Sequence, residues 1–411
     1  MNLTIDKMIY GGDGLARNPG GKTVFMPLVL PGEEVDAAIT EEKPGYARAI
    51  AQELLKTSDR RIEPSCPYFA QCGGCHYQHT DYPNQLELKK SILRETLLRS
   101  AKLDWKPEIV THSAAPWGYR NRTRFRVRPA PEFAIGFHRM ASHDLLPVEK
   151  CPISSPAINT VLAHLWDLGR ARRIPQDVGE IEIFANHDDS RLLLEVQGPE
   201  SPEFAAALQA GLPEIGGVAF FTAGNQAGIF GDSSLDYQAG SSSFRVSAGS
   251  FFQTNRFLVP ELAESMVADV SGSTALDLYA GVGLFALRLA GRYKRVLAVE
   301  SSPSSAADLK FNAPKNVTAI RSTTEEFLAK SQDLRPDIVI ADPPRAGLGE
   351  KTVKLLAAMR VPRITYLSCD PTTLARDLNG LIRSRYRVEE VHLFDLFPQT
   401  FHIESMVRLA R

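Results

Sequence analysis

A chain of 411 residues is long enough for two or three domains, and 44% hydrophobic with 23% charged residues is the composition of a globular protein with sizeable cores. The N-terminus lacks the basic start and apolar stretch of a signal peptide, and no apolar run reaches the ~18 residues that span a bilayer, so a cytoplasmic protein without structural disulfides is expected. A net charge of −1 excludes a uniformly basic nucleic-acid binder, yet residues 86–150 hold thirteen Lys/Arg against seven Asp/Glu, a local surface that suits phosphates.

Residues 1–57 predict four or five short strands. They are L-T-I-D-K-M-I, T-V-F-M-P-L-V-L, V-D-A-A-I-T and Y-A-R-A-I-A-Q-E-L-L, separated by G-G-D-G and P-G-E-E turns. That spacing fits a small barrel or another small all-β module. Residues 84–100 predict a helix with Leu86, Ile92, Leu93, Leu97 and Leu98 near one face and basic residues opposite. Residues 119–250 read mostly as strands. In the first of them Arg120, Arg122, Arg124, Arg126 and Arg128 alternate with other residues, so one face carries all five guanidinium groups. Two readings of that face stand side by side: phosphate binding, or a solvated sheet face with structural ion pairs. From about Phe251 a helix leads into alternating strands and helices, the pattern of a doubly wound sheet that binds ligands at the carboxyl ends of its strands. Seven strands are predicted there, from A-L-D-L-Y-A to I-E-S-M-V-R-L.

Five cysteines carry candidate chemistry. Cys66, Cys72 and Cys75 are spaced C-x5-C-x2-C, and Cys151 follows after a long gap. A zinc ribbon pairs two C-x2-C knuckles and only one is present, so an iron–sulfur cluster with four thiolate ligands is at least as reasonable. Cys369 stands apart, at the end of the predicted strand I-T-Y-L-S-C. A buried structural thiol and a nucleophile are both open for it.

Asp277-Leu-Tyr-Ala-Gly281-Val-Gly283 ends one strand and opens a helix, and Glu300 ends the next strand. The glycines allow close approach of a ligand, and a carboxylate at that strand end can accept hydrogen bonds from both ribose hydroxyls. G-V-G-L-F-A also fits a dinucleotide fingerprint. The combination with A-D-P-P at Ala341 to Pro344 instead resembles class I methyltransferases, which bind S-adenosylmethionine. Glu404 falls in or beside a strand between apolar neighbours, a costly place for a carboxylate without a partner or a function. Together Cys369 and Glu404 suit methylation of uracil at C5. A thiolate attacks C6, the resulting enolate takes the methyl group at C5, and a base removes the C5 proton so that the thiolate leaves.

At these residues the chain resembles the bacterial RNA uracil-C5 methyltransferases. S-F-F-Q-T-N, D-L-Y-A-G-V-G, A-D-P-P-R-A-G-L, Y-L-S-C-D-P-T-T-L-A-R-D and F-P-Q-T-F-H-I-E-S-M occur in the family's order, and the likeness covers nearly the whole chain. It implies Cys369 as nucleophile and Glu404 as base. It implies Gln253, Tyr279, Gly281, Glu300 and Asp342 as contacts to S-adenosylmethionine. It also implies a [4Fe–4S] cluster on Cys66, Cys72, Cys75 and Cys151, structural rather than reactive because four ligands leave no open iron. Leu284 departs from the polar residue seen after the second glycine in a ribosomal-RNA member. The N-terminal barrel resembles a TRAM domain, an oligonucleotide-binding-like RNA module.

The expected architecture is therefore multidomain α/β. A TRAM-like barrel spans 1–58, a β-rich iron–sulfur and RNA-contact domain 59–248, and a doubly wound methyltransferase domain 249–411, against which the 84–100 helix packs. RNA is the expected partner, 23S rRNA ahead of tRNA, with no membrane and a monomer as the working state. Three rivals remain. A cytosine-C5 enzyme would carry a second cysteine where this chain has D-P-P-R, and a radical enzyme would need C-x3-C-x2-C. A non-catalytic RNA-binding protein gives no reason for Cys369 and Glu404 to occur together.

Overall fold

The computed structural model describes all 411 residues. Five strands close into the N-terminal barrel: Asn2–Met8, Gly14–Arg17, Thr23–Met26, Glu34–Glu42 and Tyr46–Lys56. Alternation builds it: Leu3 and Ile5 turn inward while Asn2, Thr4 and Asp6 face solvent. Leu3, Ile5, Val24, Met26 and Val35 are among the residues that fill its core. Gly14–Arg17 is missing from the sequence pattern because four residues opening on glycine show little alternation. The glycine has a packing cause: a Cβ at Gly14 would lie 2.5 Å from Val29 Cγ2 and 2.9 Å from Ile5 Cγ2.

Residues 57–81, with three of the cysteines, form turns and isolated bridges. Helix Tyr82–Thr96 follows, capped by Asp81, whose side chain accepts from the Asn84 amide. It continues through a π turn, Leu97–Ala101. Its buried face is the predicted one only in part. Ile92, Leu93 and Leu97 are buried, but Leu98 is 49% exposed, while Gln85 and Lys89 are buried. Those two polar residues face the loop 395–402, which supplies their partners.

A seven-stranded sheet comes next, in the order Asn225–Gly231, Ile215–Thr222, Leu192–Gln197, Glu180–Ala185, Arg122–Arg128, Ala134–His138, Leu145–Pro147. Helices Pro156–Arg170 and Pro202–Gly211 cover it through a shared apolar core.

The C-terminal sheet has eight strands, in the order Val317–Arg321, Tyr293–Glu300, Gly272–Leu278, Ile338–Ala341, Arg363–Ser368, Glu404–Ala410, Arg387–Phe394, Val110–His112. The first five run parallel and Glu404–Ala410 is antiparallel to both neighbours. All seven predicted strands are present. The eighth, Val110–His112, is only three residues long and comes from far earlier in the chain. Gly272–Leu278 lies at the centre with later strands added on both sides. That arrangement opens a crevice at its carboxyl end.

Candidate active site

Neighbouring strand ends bring the expected residues together. Leu278 pairs with both Val299 and Ala341, so the following residues Tyr279, Glu300 and Asp342 emerge at one level. Ser368 pairs with Ser405 in the antiparallel ladder, so Cys369 and Glu404 stand opposite one another one step further on. A cavity of about 850 Å³ opens there, and Gln253, Tyr279, Gly281, Glu300, Asp342, Cys369 and Glu404 all line it.

Local backbone geometry explains the glycines. Tyr279, Gly281 and Gly283 all have positive φ, at 61°, 54° and 101°. A Cβ at Gly281 would meet nothing within 4 Å, which leaves the backbone open to a ligand, whereas one at Gly283 would press to 2.9 Å from Leu309 Cδ1. Glu300 stiffens the turn, accepting from the Gly281 amide at 2.9 Å and the Ser302 amide at 2.7 Å. Leu284 is buried in the core rather than turned to the cavity as a polar contact would be, although its edge reaches the lining.

Two buried carboxyl groups, Asp342 and Glu404, line the cavity, and a third, Asp277, lies outside its lining. Gln253 donates to Asp342 Oδ2 at 3.0 Å. Burial pushes the Asp342 carboxyl up to about 7, against the pull of that hydrogen bond. Burial and then Asp342 hold the Glu404 carboxyl well above the usual range, opposed by Arg345. Asp277 is fully buried with no partner for either carboxylate oxygen, and it too is raised by burial. The Cys369 thiol is pushed up to about 12 by burial, then by Glu404 and Asp342. In each case burial favours the uncharged form of the group.

Several residues at the site have no individual signal in the sequence. Arg345, Phe397 and His402 line the cavity; burial and then nearby cations hold His402 neutral, pushed down to about 3. The signal for Arg345 and His402 was their place inside D-P-P-R and F-H-I-E-S-M. Tyr10 of the barrel reaches across, its hydroxyl donating to the Cys369 carbonyl at 3.4 Å, which only the assembled fold reveals.

The other four cysteines line a second cavity, of about 230 Å³, with Gln78, Phe69 and Phe137. No three His, Cys, Asp or Glu side chains converge closely enough to hold a single metal ion. In the arginine strand, the ion-pair reading holds for three members. Arg124 and Arg126 pair with Glu180 at 3.2 and 2.8 Å, and Arg122 lies 3.4 Å from Glu182 while its Cζ sits 4.2 Å from the Phe184 ring centre. Arg128 is exposed and meets only the Glu132 carbonyl. Arg120 precedes the strand and lines both cavities, sharing the four-cysteine one with Arg124.

A small RNA-module barrel joined to a doubly wound sheet with this cavity defines a TRAM-containing methyltransferase. Residues 1–51 match the TRAM domain and residues 230–411 match the tRNA (Uracil-5-)-methyltransferase family. The chain belongs to the RNA uracil-C5 methyltransferase family. An uncharacterized RNA methyltransferase of Aquifex aeolicus is 32% identical, over 100% of this chain and 98% of the relative. A 23S rRNA (uracil(1939)-C(5))-methyltransferase of Edwardsiella ictaluri is 31% identical, over 96% of this chain and 92% of the relative. The crystal structure of Pyrococcus abyssi tRNA (uracil-54, C5)-methyltransferase shares the fold, with a TM-score of 0.79 at 23% identity and full coverage of both chains.

Proposed function

We propose that this enzyme transfers the methyl group of S-adenosylmethionine to C5 of a uracil in 23S rRNA. The observation that carries the reading is the shared cavity: the expected nucleophile, base and five cofactor contacts all line it. When bound, S-adenosylmethionine supplies an electrophilic methyl group on a sulfonium centre. Glu300 accepts from the ribose hydroxyls with lone pairs left free by the two amides, and Tyr279, Gly281, Gln253 and Asp342 complete the cofactor's surroundings. The Cys369 thiol gives its proton to the neighbouring Asp342 carboxylate and its sulfur bonds to uracil C6, which moves an electron pair through C5 toward O4. C5 then takes the methyl group as the sulfonium S–CH3 bond breaks, and S-adenosylhomocysteine is left. Glu404, at the facing strand end, removes the C5 proton, the C5–C6 double bond re-forms and the Cys369 thiolate departs. Burial raises the proton affinity of the Glu404 carboxylate, so once ionised it is a stronger base than an exposed carboxylate.

The 23S rRNA target rests on two relatives named for uracil 1939, each covered across at least 89% of its length. A uracil in structured RNA has to leave its stack to reach Cys369. Cys66, Cys72, Cys75 and Cys151 fit a [4Fe–4S] cluster: four thiols ring a cavity roomier than a lone ion needs, which suits a cube with a ligand at each corner. Within the 59–248 segment these cysteines would hold a scaffold between the 1–58 barrel and the 249–411 catalytic segment. No helix is long and apolar enough to cross a membrane.

The test is 5-fluorouridine-substituted 23S RNA with S-adenosylmethionine. Fluorine at C5 cannot leave as a proton, so the wild type is expected to form a denaturant-resistant RNA–protein adduct and Cys369→Ser none. Glu404→Gln is expected to trap methylated adduct on ordinary RNA. An adduct that survives Cys369→Ser refutes the assignment. Iron and acid-labile sulfide in equal amounts in anaerobically purified protein, lost in Cys72→Ser, check the cluster.

A further inference from the structure

Arg120 is the one residue that lines both the four-cysteine cavity and the catalytic cavity. Arg122, Arg124 and Arg126 pair with Glu180 or Glu182, but Arg120 has no carboxylate partner, and its buried Nε has no hydrogen bond. Its Cζ lies 5.9 Å from the Tyr119 ring centre and 5.8 Å from that of Phe397. Its backbone is pinned beside Cys151: the Arg120 amide donates to Ile153 O at 2.9 Å, and the Ser155 amide donates to Arg120 O at 2.9 Å. Tyr119 donates to the Pro398 carbonyl at 3.0 Å, tying the same stretch to the loop that leads into Glu404. A cation so confined without a counter-charge is costly unless an anion arrives.

Two anions suit it. The four-thiolate cluster is negative overall, and the backbone of the RNA brings phosphates; the uracil ring itself is neutral. A guanidinium matches a phosphate with two parallel N–H donors, and aromatic rings on its flanks hold the plane for that fit. We propose that Arg120 binds the phosphate of the nucleotide flipped into the catalytic cavity, with its charge supported from the cluster side, so that cluster assembly and target positioning share one residue. The inference rests on the uracil-methyltransferase and cluster readings above.

The experiment uses the full chain with its cluster and a 23S rRNA hairpin carrying 5-fluorouridine at the position methylated by the relatives named for uracil 1939. One RNA has its natural phosphate beside that nucleotide; a second has a neutral methylphosphonate there. Wild type should bind the second RNA ~10- to 100-fold more weakly. Arg120→Met should bind both RNAs equally weakly, with a log K against log salt slope smaller by about one, and with S-adenosylmethionine affinity unchanged. Its cluster should also show a more negative reduction potential, since a cation nearby favours the added electron. Arg120→Lys keeps the charge and should restore the potential and the salt slope while losing the two-pronged fit; it also serves if the methionine variant fails to fold. An undiminished methylphosphonate penalty in both variants overturns the proposal. Absence of adduct in wild type overturns the functional reading, and this inference with it.

Discussion

The buried carboxylates give the site its pH behaviour. Asp342 keeps its proton to about 7 in the folded protein, against an ordinary value of 3.8 when exposed. Between those values the folded state holds a proton that the unfolded chain has lost, so stability falls as pH rises and levels off above about 7. Asp342→Asn removes that slope. It is expected to gain on wild type from pH 4 to pH 7 by up to a few kcal/mol in urea unfolding, and not below. Asp342 also raises Glu404, so the rising limb of the pH–rate profile should move to lower pH in the variant even where its cofactor affinity drops. The placement of Cys369 and Glu404 at neighbouring strand ends could be read from the chain, because the alternation of strands and helices fixes where each strand stops. Arg120 could not: its periodic place among Arg122, Arg124 and Arg126 suggested one more member of the same set, and only the assembled fold gives those three a Glu180 or Glu182 partner and Arg120 none.

At the level of elements, helix Tyr82–Thr96 acts as a brace beneath the catalytic loop. Lys89 Nζ donates to Asp395 Oδ1 at 2.6 Å and to the Phe397 carbonyl at 3.0 Å, and both members of the ion pair are fully buried. Gln85 donates to Gln399 Oε1 at 2.9 Å and accepts from its amide at 3.0 Å. These bonds fix residues 395–399 just before Glu404. Lys89→Met strands Asp395 without a counter-charge and should cost about 3–5 kcal/mol in chemical denaturation. Lys89→Met with Asp395→Leu should recover most of that loss, because it removes the orphaned charge as well; a double variant as unstable as the single one would contradict this account. The helix was readable from its period, and so was the buried place of Ile92, Leu93 and Leu97. Gln85 and Lys89 were not, because polar residues that find partners 314 and 306 positions away look like surface residues in the sequence.

Across the whole molecule, the N-terminal segment and the catalytic sheet meet at Cys369. Met8 joins the catalytic core, and Tyr10 reaches the Cys369 carbonyl and packs edge-on against Phe401 at 5.6 Å. Tyr10→Ala should slow adduct formation at saturating RNA by roughly tenfold, the loss of about one hydrogen bond and its packing, with no change in S-adenosylmethionine binding. Equal rates for variant and wild type would make the barrel an RNA tether only. By itself the sequence determined the barrel, the seven strands of the catalytic sheet and which residues stand at their ends, because hydrophobic period and turn chemistry are local properties. The tertiary structure decided the rest: the eighth strand from Val110–His112, the burial of Lys89, the ion pairs of the arginine strand, and the place of Arg120 between two cavities. Each depends on partners brought together by folding, and a charge is paired, buried or free only according to what the rest of the chain places beside it.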